Sequence, residues 1–301
     1  MSAALTLHAG PILLLGASGQ IGSALFALLR AAGCQVHAPT RSTLDLLDLP
    51  AITQYLAQIK PVLIINAAGY TAVDRAESEP ELALKLNYLV PQLLAEYAAA
   101  AQIRLVHYSS DYVYGDDGDA LLGETRPLAP QSIYARSKAQ ADAAVLQAAP
   151  QALILRTSWV YAATGQNFMR TMLGLFRQRS ELQVVADQFG APTPAAWVAA
   201  TTLQLLRFGQ SGVLNLSANG HCSWYQFAQA ILTLARQHQL PGLQCQHIIA
   251  IPAHAWPAAA RRPLNSRLDL TAVQQICNQP MPDWQQGLQQ TFLAWLAMQP
   301  E

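Results

Sequence analysis

The stretch Ile12-Leu-Leu-Leu-Gly16-Ala-Ser-Gly19-Gln-Ile-Gly22 places a glycine-rich turn between an apolar strand and the start of a helix. In a dinucleotide-binding turn, the first glycine takes the tight bend, the second lets the backbone approach the pyrophosphate, and the third packs helix on sheet. The N-terminus of the helix then faces the phosphates. The stretch therefore predicts a Rossmann-like sheet with a dinucleotide at its first turn. An ordinary glycine turn between strand and helix is the alternative interpretation.

The alternation that begins at this turn continues through the first half of the chain. Short apolar runs at 12–15, 35–37, 62–65, 103–107 and 152–155 are separated by helical patterns at 20–32, up to residue 60, at 79–101 and at 134–148. Strands that alternate with helices form parallel sheets, so the fold class is α/β, a Rossmann-like doubly wound parallel sheet. Within 79–101, Pro91 predicts a kink or a break, because proline lacks the amide hydrogen that a helix interior needs.

After about residue 157 the regular alternation is lost. Proline, glycine and tryptophan become common in loop-like stretches at 189–194, 217–224 and 251–263. We therefore predict an NAD(P)-binding Rossmann-like domain over residues 1–156 and a smaller C-terminal, mainly substrate-binding lobe over residues 157–301. The boundary is soft, because a chain of this architecture can cross between lobes more than once.

The composition excludes several other classes of protein. The 301 residues carry 18 basic and 18 acidic side chains and are 52% hydrophobic, as in a packed globule with no general attraction to nucleic acid or anionic membranes. No apolar run reaches the roughly 18 residues of a membrane span. The four cysteines are far apart, so we expect free thiols in a reducing, cytoplasmic compartment and neither a disulfide framework nor a metal site.

The end of the second strand bears on the choice of cofactor. Rossmann proteins selective for NAD usually place an acidic side chain there, whereas this chain reads Ala38-Pro-Thr-Arg41. A guanidinium at Arg41 could meet a 2′-phosphate, so NADPH is the preferred cofactor and NADH is possible; a solvated loop arginine is the alternative. Asp45 and Leu46 could border the adenine. The small run Ala67-Ala-Gly69 could let the backbone after the third strand lie near the cofactor.

The sequence Tyr134-Ala-Arg-Ser-Lys138 carries the strongest chemical signal. Residues four apart share one face of a helix, so the phenol and the ammonium can act on the same small volume. A tyrosine has an ordinary pKa of about 10 and a nearby cation favours the phenolate, so we expect Lys138 to move the pKa of Tyr134 toward neutrality. Such a pair can reduce a ketone, with hydride from a nicotinamide and the proton from Tyr134. An exposed helix pair is the alternative, because YxxxK occurs often by chance.

The run Ser109-Ser-Asp-Tyr-Val-Tyr114 follows an apolar strand and therefore lies at its carboxyl end, where α/β sheets bind ligands. Ser110 could hydrogen-bond the substrate carbonyl and stabilise charge on its oxygen. A hydrolase is disfavoured, because the chain has no GxSxG turn and His107 lies within the strand pattern. The predicted cofactor-binding residues are Gly16, Gly19, Gln20, Ile21, Gly22, Arg41, Asp45, Leu46, Ala67, Ala68, Gly69, Tyr108, Tyr134 and Lys138.

With these motifs in place, the chain resembles the dTDP-4-dehydrorhamnose reductase family of extended short-chain dehydrogenases/reductases along nearly its whole length. The matching blocks include 19–22, 66–77, 110–114, 156–161, 187–193 and 260–266, in addition to Tyr134 and Lys138. The resemblance implies NADPH-dependent reduction of the 4-keto group of dTDP-4-dehydro-β-L-rhamnose to dTDP-L-rhamnose, a precursor of cell-surface polysaccharides such as the lipopolysaccharide O-antigen.

The resemblance also implies roles for individual residues. Ser110, Tyr134 and Lys138 would be catalytic, and Arg261 and Arg262 would hold the nucleotide pyrophosphate, because paired guanidiniums match phosphate oxygens in geometry and charge. A solvated basic loop is the alternative interpretation for the two arginines. For Trp159, a position in the hydrophobic core is the alternative to substrate binding. The predicted substrate-binding residues are Ser110, Asp111, Trp159, Asn167, Arg261 and Arg262.

The chain departs from the family in two places. Family members commonly have threonine where Ser110 stands, and serine keeps the hydroxyl but lacks the methyl group that restricts its rotamer. Some members dimerise around magnesium through a carboxylate just after the glycine motif, where this chain has Ser23. We therefore predict no metal and expect a monomer or a weak homodimer.

Two other functions stay open at this point. One is the same chemistry, or an epimerisation, on another nucleotide sugar. The other is a non-catalytic, cofactor-binding regulatory subunit of the type found with methionine adenosyltransferase. The presence of Ser110, Tyr134, Lys138 and the arginine pair favours an enzyme.

Overall fold

A six-stranded sheet forms the centre of the protein in the computed structural model, which describes residues 9–116 and 118–299. Its strands are β1 (Ile12–Leu15), β2 (Val36–His37), β3 (Leu63–Asn66), β4 (Arg104–Ser110), β5 (Leu153–Thr157) and β10 (Gly212–Leu216), numbered along the chain. Their order is β10-β5-β4-β3-β1-β2, and every neighbouring pair is parallel. Because β1, β3 and β5 are apolar runs buried on both faces, they suit a sheet covered on both sides. The predicted Rossmann-like fold class is confirmed.

Helices cover both faces of this sheet. Ile12 and Leu14 enter one hydrophobic core, while Leu13 and Leu15 enter another, as the two-residue period of a strand requires. The first core is covered by α1 (Gln20–Ala31), α8 (Ala195–Arg207) and α10 (Thr271–Cys277), and the second by α2 (Leu49–Ile59), α5 (Val90–Ala100) and α6 (Ile133–Ala148). The strand order reverses at β1, so the loops after β1 and β3 lie side by side at the carboxyl edge, where such sheets bind ligands.

The predicted helix at 79–101 is continuous, but its winding changes from α to π and back to α. It follows the short α3 (Val73–Ala76) and consists of α4 (Pro80–Leu84), a π-helical segment at Lys85–Leu89, and α5. Pro91 is the second residue of α5. Proline cannot donate to the carbonyl four residues earlier, and the wider turn immediately before it removes the need for that bond. The kink or break expected at Pro91 is therefore replaced by a local widening of the helix.

The smaller lobe has its own hydrophobic core. Phe176, Phe227 and Phe292 lie in it, on α7 (Phe168–Phe176), α9 (Trp224–Gln237) and α11 (Trp284–Leu296). Its two-stranded sheets pair β6 (Val160–Tyr161) with β9 (Thr193–Pro194), β7 (Glu181–Val185) with β12 (His247–Ile251), and β8 (Phe189–Gly190) with β11 (Cys222–Ser223).

The chain returns to the central sheet after leaving it. β10 pairs with β5 along its whole length, and α8 and α10 pack on the core that α1 covers. Segments beyond residue 157 therefore complete the larger unit, and the chain crosses between the lobes. Residues 1–8, 117 and 300–301 of the predicted division lie outside the described residues. The role of the smaller lobe in substrate binding stays a prediction.

All four cysteines, each within the described part of the chain, are buried free thiols. Burial raises the pKa of the Cys222 thiol, so that group stays protonated at neutral pH. Across residues 9–116 and 118–299, none of the helices combines the length and the apolar character needed to cross a membrane.

Candidate active site

The glycine turn after β1 is packed too closely for side chains. Gly16 has φ +76°, and a Cβ on it would lie 2.5 Å from the carbonyl oxygen of Ala67. A Cβ on Gly22 would clash with the carbonyl oxygen of Gly16, which brings α1 directly onto the turn. Only glycine fits at either position. The turn and the small-residue run after β3 are therefore in backbone contact, as a cofactor-binding edge requires.

The start of α1 offers backbone donors. Gly19 is the N-cap residue and provides no side-chain hydrogen bond to the first turn of the helix. The first amides of a helix have no partner within it, and a phosphate can accept from them. The predicted residues Gln20, Ile21 and Gly22 supply these amides. The residues present thus fit a dinucleotide pyrophosphate.

The side chains of Gln20 and Asn167 bond to each other. Asn167 Nδ2 donates to Gln20 Oε1 at 3.0 Å and to the carbonyl of Ala162 at 2.8 Å, and Gln20 Nε2 donates to the carbonyl of Val160 at 3.2 Å. Asn167 Oδ1 also accepts from the amide of Arg170 and caps α7. This pair ties the glycine turn to the smaller lobe. The predicted contact of Asn167 with the substrate stays a prediction.

The residues predicted to surround the adenosine half lie after β2, the strand next to β1. Arg41 is exposed in a turn. The Asp45 carboxylate accepts from the amide of Leu47 at 2.9 Å, and Leu46 packs partly against the core beneath α2. Arg41 is therefore accessible to a ligand, while Asp45 and Leu46 help to form the loop.

Ser110 and Tyr134 come together at the carboxyl end of β4. Ser110 is the last residue of β4, and its Oγ accepts from the amide of Tyr112 at 3.2 Å. Ser132 caps α6 through the amide of Ala135, which places Tyr134 in the first turn of that helix. The side chain of Tyr134 lies close enough to Ser110 for the serine hydroxyl to influence the pKa of the phenol. Lys138 lies one turn further along α6, and its Nζ donates to the carbonyl of Tyr108.

Burial dominates the titration of Tyr134. It raises the pKa of Tyr134 to about 12, the nearby Ser110 hydroxyl opposes this in part, and the carboxylates of Asp111 and Asp142 raise it further. The expectation that Lys138 would draw the pKa of Tyr134 toward neutrality is wrong for this structure, because desolvation and two carboxylates raise that pKa. Tyr134 is therefore a phenol at neutral pH, the form that can donate a proton.

Several buried ionisable side chains lie next to the site. Burial lowers the pKa of Lys138 to about 8, although Asp142 opposes the shift. Asp142 is paired with Arg156 at 2.9 Å. Burial and the neighbouring Lys138 hold the pKa of His107 well below its ordinary value, so His107 is neutral. Lys138 and Arg156 thus share the carboxylate of Asp142, and His107 adds no positive charge.

Tyr108 contributes only its backbone carbonyl to the site. Its ring lies in the core under α8, and its hydroxyl is 2.7 Å from Thr202 Oγ1. Its carbonyl accepts from Lys138. The side chain of Tyr108, a predicted cofactor-binding residue, therefore belongs to the core.

The sequence patterns did not predict a role for Asn87 at the site. It lies in the π-helical segment, where Oδ1 accepts from the amide of Tyr70 at 2.7 Å and Nδ2 donates to the carbonyl of Tyr70 at 3.0 Å. Nδ2 also donates to Ser137 Oγ at 3.1 Å. Asn87 thereby joins the loop after β3 to the helix that carries Tyr134. The sequence feature that could have identified this residue is an asparagine within a helical pattern close to Pro91.

The two arginines of the predicted pyrophosphate site differ in their surroundings. Arg262 is paired with Asp74 at 2.6 Å and lies near Tyr112, whose ring lies edge-on to Tyr134 at 6.0 Å. Arg261 has a side chain that is 71% exposed and lies 3.8 Å from the carboxylate of Asp116. Arg262 is thus held beside the rings of Tyr112 and Tyr134, and Arg261 projects into solvent.

Trp159 is packed within the smaller lobe. Its ring stacks on Trp224 with centroids 3.5 Å apart, and its backbone has a φ of +46°. A Cβ on Gly190 would lie 2.6 Å from the Trp159 ring. Non-glycine residues rarely adopt this backbone region unless the surroundings fix it. The stack and Gly190 hold Trp159 in one orientation, and its contact with the sugar stays a prediction.

Comparison with known proteins agrees with this site. The family model described as "RmlD substrate binding domain" matches residues 10–296. The dTDP-4-dehydrorhamnose reductase of Escherichia coli (strain K12) is 38% identical over 285 residues, which cover 92% of this chain and 95% of that protein. The chain belongs to the dTDP-4-dehydrorhamnose reductase family. It is an oxidoreductase, as the Ser110, Tyr134 and Lys138 arrangement predicted.

Solved structures of this reductase family share the whole fold. A dTDP-4-dehydrorhamnose reductase of Clostridium acetobutylicum superposes with a TM-score of 0.88 at 30% identity and covers 96% of this chain and 100% of its own. That of Bacillus anthracis, in complex with NADP, superposes with a TM-score of 0.88 at 30% identity and covers 95% and 99%. Within the described ranges, this reductase-family chain has no group of three or more His, Cys, Asp or Glu side chains that could hold a metal ion.

Proposed function

We propose that this protein uses NADPH to reduce the 4-keto group of dTDP-4-dehydro-β-L-rhamnose to dTDP-L-rhamnose. The observation that carries the proposal is that Ser110, Tyr134 and the buried Lys138 come together at the carboxyl end of β4. The choice of sugar is supported by relatives that are named dTDP-4-dehydrorhamnose reductase and match nearly the whole chain.

When bound, the nicotinamide supplies the hydride that the carbonyl carbon receives. Tyr134, a phenol at neutral pH, donates a proton to the carbonyl oxygen. Ser110 is close enough to share that oxygen and to stabilise the charge that develops on it. Lys138 lies under the site with its ammonium on the Tyr108 carbonyl, where it can offset the charge left on Tyr134.

The reaction can be tested directly. dTDP-4-dehydrorhamnose is generated enzymatically in the cuvette, the purified protein is added with NADPH or NADH, and the absorbance of the reduced cofactor is followed. We expect rapid oxidation and formation of dTDP-L-rhamnose. If the protein binds both cofactors and oxidises neither, the proposed reaction is wrong. A GDP- or UDP-linked ketone would then be tested as substrate, and a pull-down with methionine adenosyltransferase would test a regulatory role.

Arg41 provides a test of cofactor preference. A hydrogen bond between a guanidinium and a 2′-phosphate contributes about 1.5–3 kcal/mol, so Arg41→Ala should raise the KM for NADPH about 10-fold or more. NADH has no 2′-phosphate, and its KM should be nearly unchanged. Arg30→Ala, at an exposed arginine in the last turn of α1, serves as the matched control. Equal changes with both cofactors would mean that Arg41 does not meet the phosphate.

A further inference from the structure

A loop of the smaller lobe, residues 162–166, lies next to the glycine turn. It runs from the end of β6 to Asn167, the N-cap residue of α7. The backbone of Gly165 is beside Gln20, because a Cβ built on Gly165 would be 3.7 Å from Gln20 Cγ. Asn167 Nδ2 donates to the carbonyl of Thr164 at 3.2 Å, in addition to the two bonds described above. The 162–166 loop is therefore held beside the first residue of α1, whose amide is one of the donors for the pyrophosphate.

The partners of the two side-chain amides fix their orientation. Asn167 Oδ1 accepts from the backbone amide of Arg170 at 3.1 Å, so Asn167 Nδ2 must face the carbonyls of the loop. A backbone carbonyl only accepts, so Gln20 must turn Nε2 to the carbonyl of Val160 and Oε1 to Asn167. Rotation of either amide by half a turn would bring like groups together. Both amide protons of Asn167 are thus directed at oxygen atoms of the protein.

The glycine turn depends on its neighbours for rigidity. Gly16 and Gly19 have no side chains, and glycine has more backbone freedom to lose than any other residue when it is fixed. Gln20 follows directly, and its side chain is hydrogen-bonded to β6 and to the N-cap of α7, a helix packed in the core of the smaller lobe. The smaller lobe thereby supplies side-chain support that the glycines lack.

We propose that Asn167 is a positioning residue for the cofactor: through Gln20 it holds the glycine turn in the conformation that binds the pyrophosphate, and it does so without contacting the sugar. A binding surface that is fixed before its ligand arrives loses less conformational entropy on binding, so its affinity is higher. The inference rests on the proposed use of NADPH and is independent of the identity of the sugar. It replaces the predicted substrate contact of Asn167 with a role at the cofactor.

Asn167→Ser separates cofactor positioning from helix capping, because serine is also a good N-cap residue but lacks the amide that reaches Gln20. We expect the Kd for NADPH, measured by fluorescence titration without sugar, to rise about 3- to 10-fold, the effect of one neutral hydrogen bond. The Kd for NADH should rise by the same factor, because both cofactors carry the pyrophosphate. In turnover, the KM for NADPH should rise with the Kd, while kcat and the KM for the sugar change less than about 2-fold.

Asp283→Ser is the matched control for Asn167→Ser. Asp283 is the exposed N-cap residue of α11, also in the smaller lobe, and its carboxylate accepts from the amide of Gln285 at 2.9 Å. This substitution exchanges one N-cap for another away from the glycine turn, so the Kd for NADPH should be unchanged. A rise equal to that of Asn167→Ser would mean that any altered cap in this lobe weakens cofactor binding, and would overturn the inference.

Gln20→Ala tests the same link from its other end. It removes the side chain and leaves the backbone amide, so the Kd for NADPH should rise by a factor similar to that of Asn167→Ser. In the double variant, the rise should be clearly smaller than the product of the two single effects, because both substitutions break one link. Effects that multiply, or an unchanged Kd in Asn167→Ser, would overturn the inference. Far-UV circular dichroism checks that each variant is folded.

Two other results would separate a failure of this inference from a failure of the proposed function. A KM for the sugar raised about 10-fold or more by Asn167→Ser, with an unchanged Kd for NADPH, would assign Asn167 to the sugar and overturn the inference alone. A wild-type protein that binds neither NADPH nor NADH would overturn the proposed function and the inference together. The titrations need no sugar, so they decide the inference even if the protein reduces a different one.

Discussion

Replacing Tyr134 by phenylalanine should lower kcat about 100-fold or more, because a positioned general acid contributes about 10²- to 10⁴-fold to the rate. The substitution removes one hydroxyl and keeps the ring that lies edge-on to Tyr112. Binding of NADPH, measured by fluorescence titration, should be nearly unchanged, because Lys138 still donates to the Tyr108 carbonyl. The measurement is the rate of NADPH oxidation with the dTDP-linked ketone.

Tyr97→Phe is the matched control for Tyr134→Phe. The Tyr97 hydroxyl donates to the carbonyl of Leu56 at 3.1 Å, between α5 and α2, so its removal costs a hydrogen bond away from the site. We expect kcat of this variant to stay within about 2-fold of wild type, the range of a conservative change outside the catalytic groups. Turnover by Tyr134→Phe at the wild-type rate would remove Tyr134 as the proton donor.

Arg156→Met should lower the free energy of unfolding by about 3–5 kcal/mol, because it leaves a carboxylate buried without its partner. Arg156 Nε is 2.9 Å from Asp142, and Nη1 donates to Tyr114 at 2.9 Å and to the carbonyl of Glu124 at 3.2 Å. Methionine restores part of the volume and none of these bonds. Urea denaturation followed by circular dichroism measures the change.

Two variants make this prediction specific to the buried pair. Arg75→Met breaks the exposed pair of Arg75 and Glu79 within one helical turn, and the free energy of unfolding should be nearly unchanged. Adding Asp142→Asn to Arg156→Met removes the stranded charge and should restore part of the loss. A double variant less stable than Arg156→Met would show that the unpaired charge is not the cause.

The sequence determined the fold class because its signals are local. Four consecutive apolar residues at Ile12–Leu15, followed by glycines at fixed spacing, predict a buried strand, a turn and a helix without knowledge of the rest of the chain. The proximity of Ser110 and Tyr134 could also be predicted from the sequence, because Ser110 ends a strand and Tyr134 lies at the start of the next long helix.

Contacts between distant segments could not be predicted in the same way. Gln20 and Asn167 are 147 residues apart, and Arg262 and Asp74 are 188 apart. The sequence around one residue of each pair therefore gives no information about its partner. The pKa of Tyr134 was predicted in the wrong direction for a related reason. The YxxxK spacing reveals the cation, whereas the burial and the carboxylate of Asp111 depend on the folded structure.

The return of the chain to the central sheet limits how this protein can be divided. A fragment that stopped at residue 156 would leave the edge of β5 without β10, and it would expose the apolar side of α1 that α8 covers. Neither half is therefore a self-sufficient module. Proteolytic nicking or domain grafting near residue 157 should yield aggregation and not an autonomous nucleotide-binding unit, and a new specificity has to be evolved by altering loops within the intact chain.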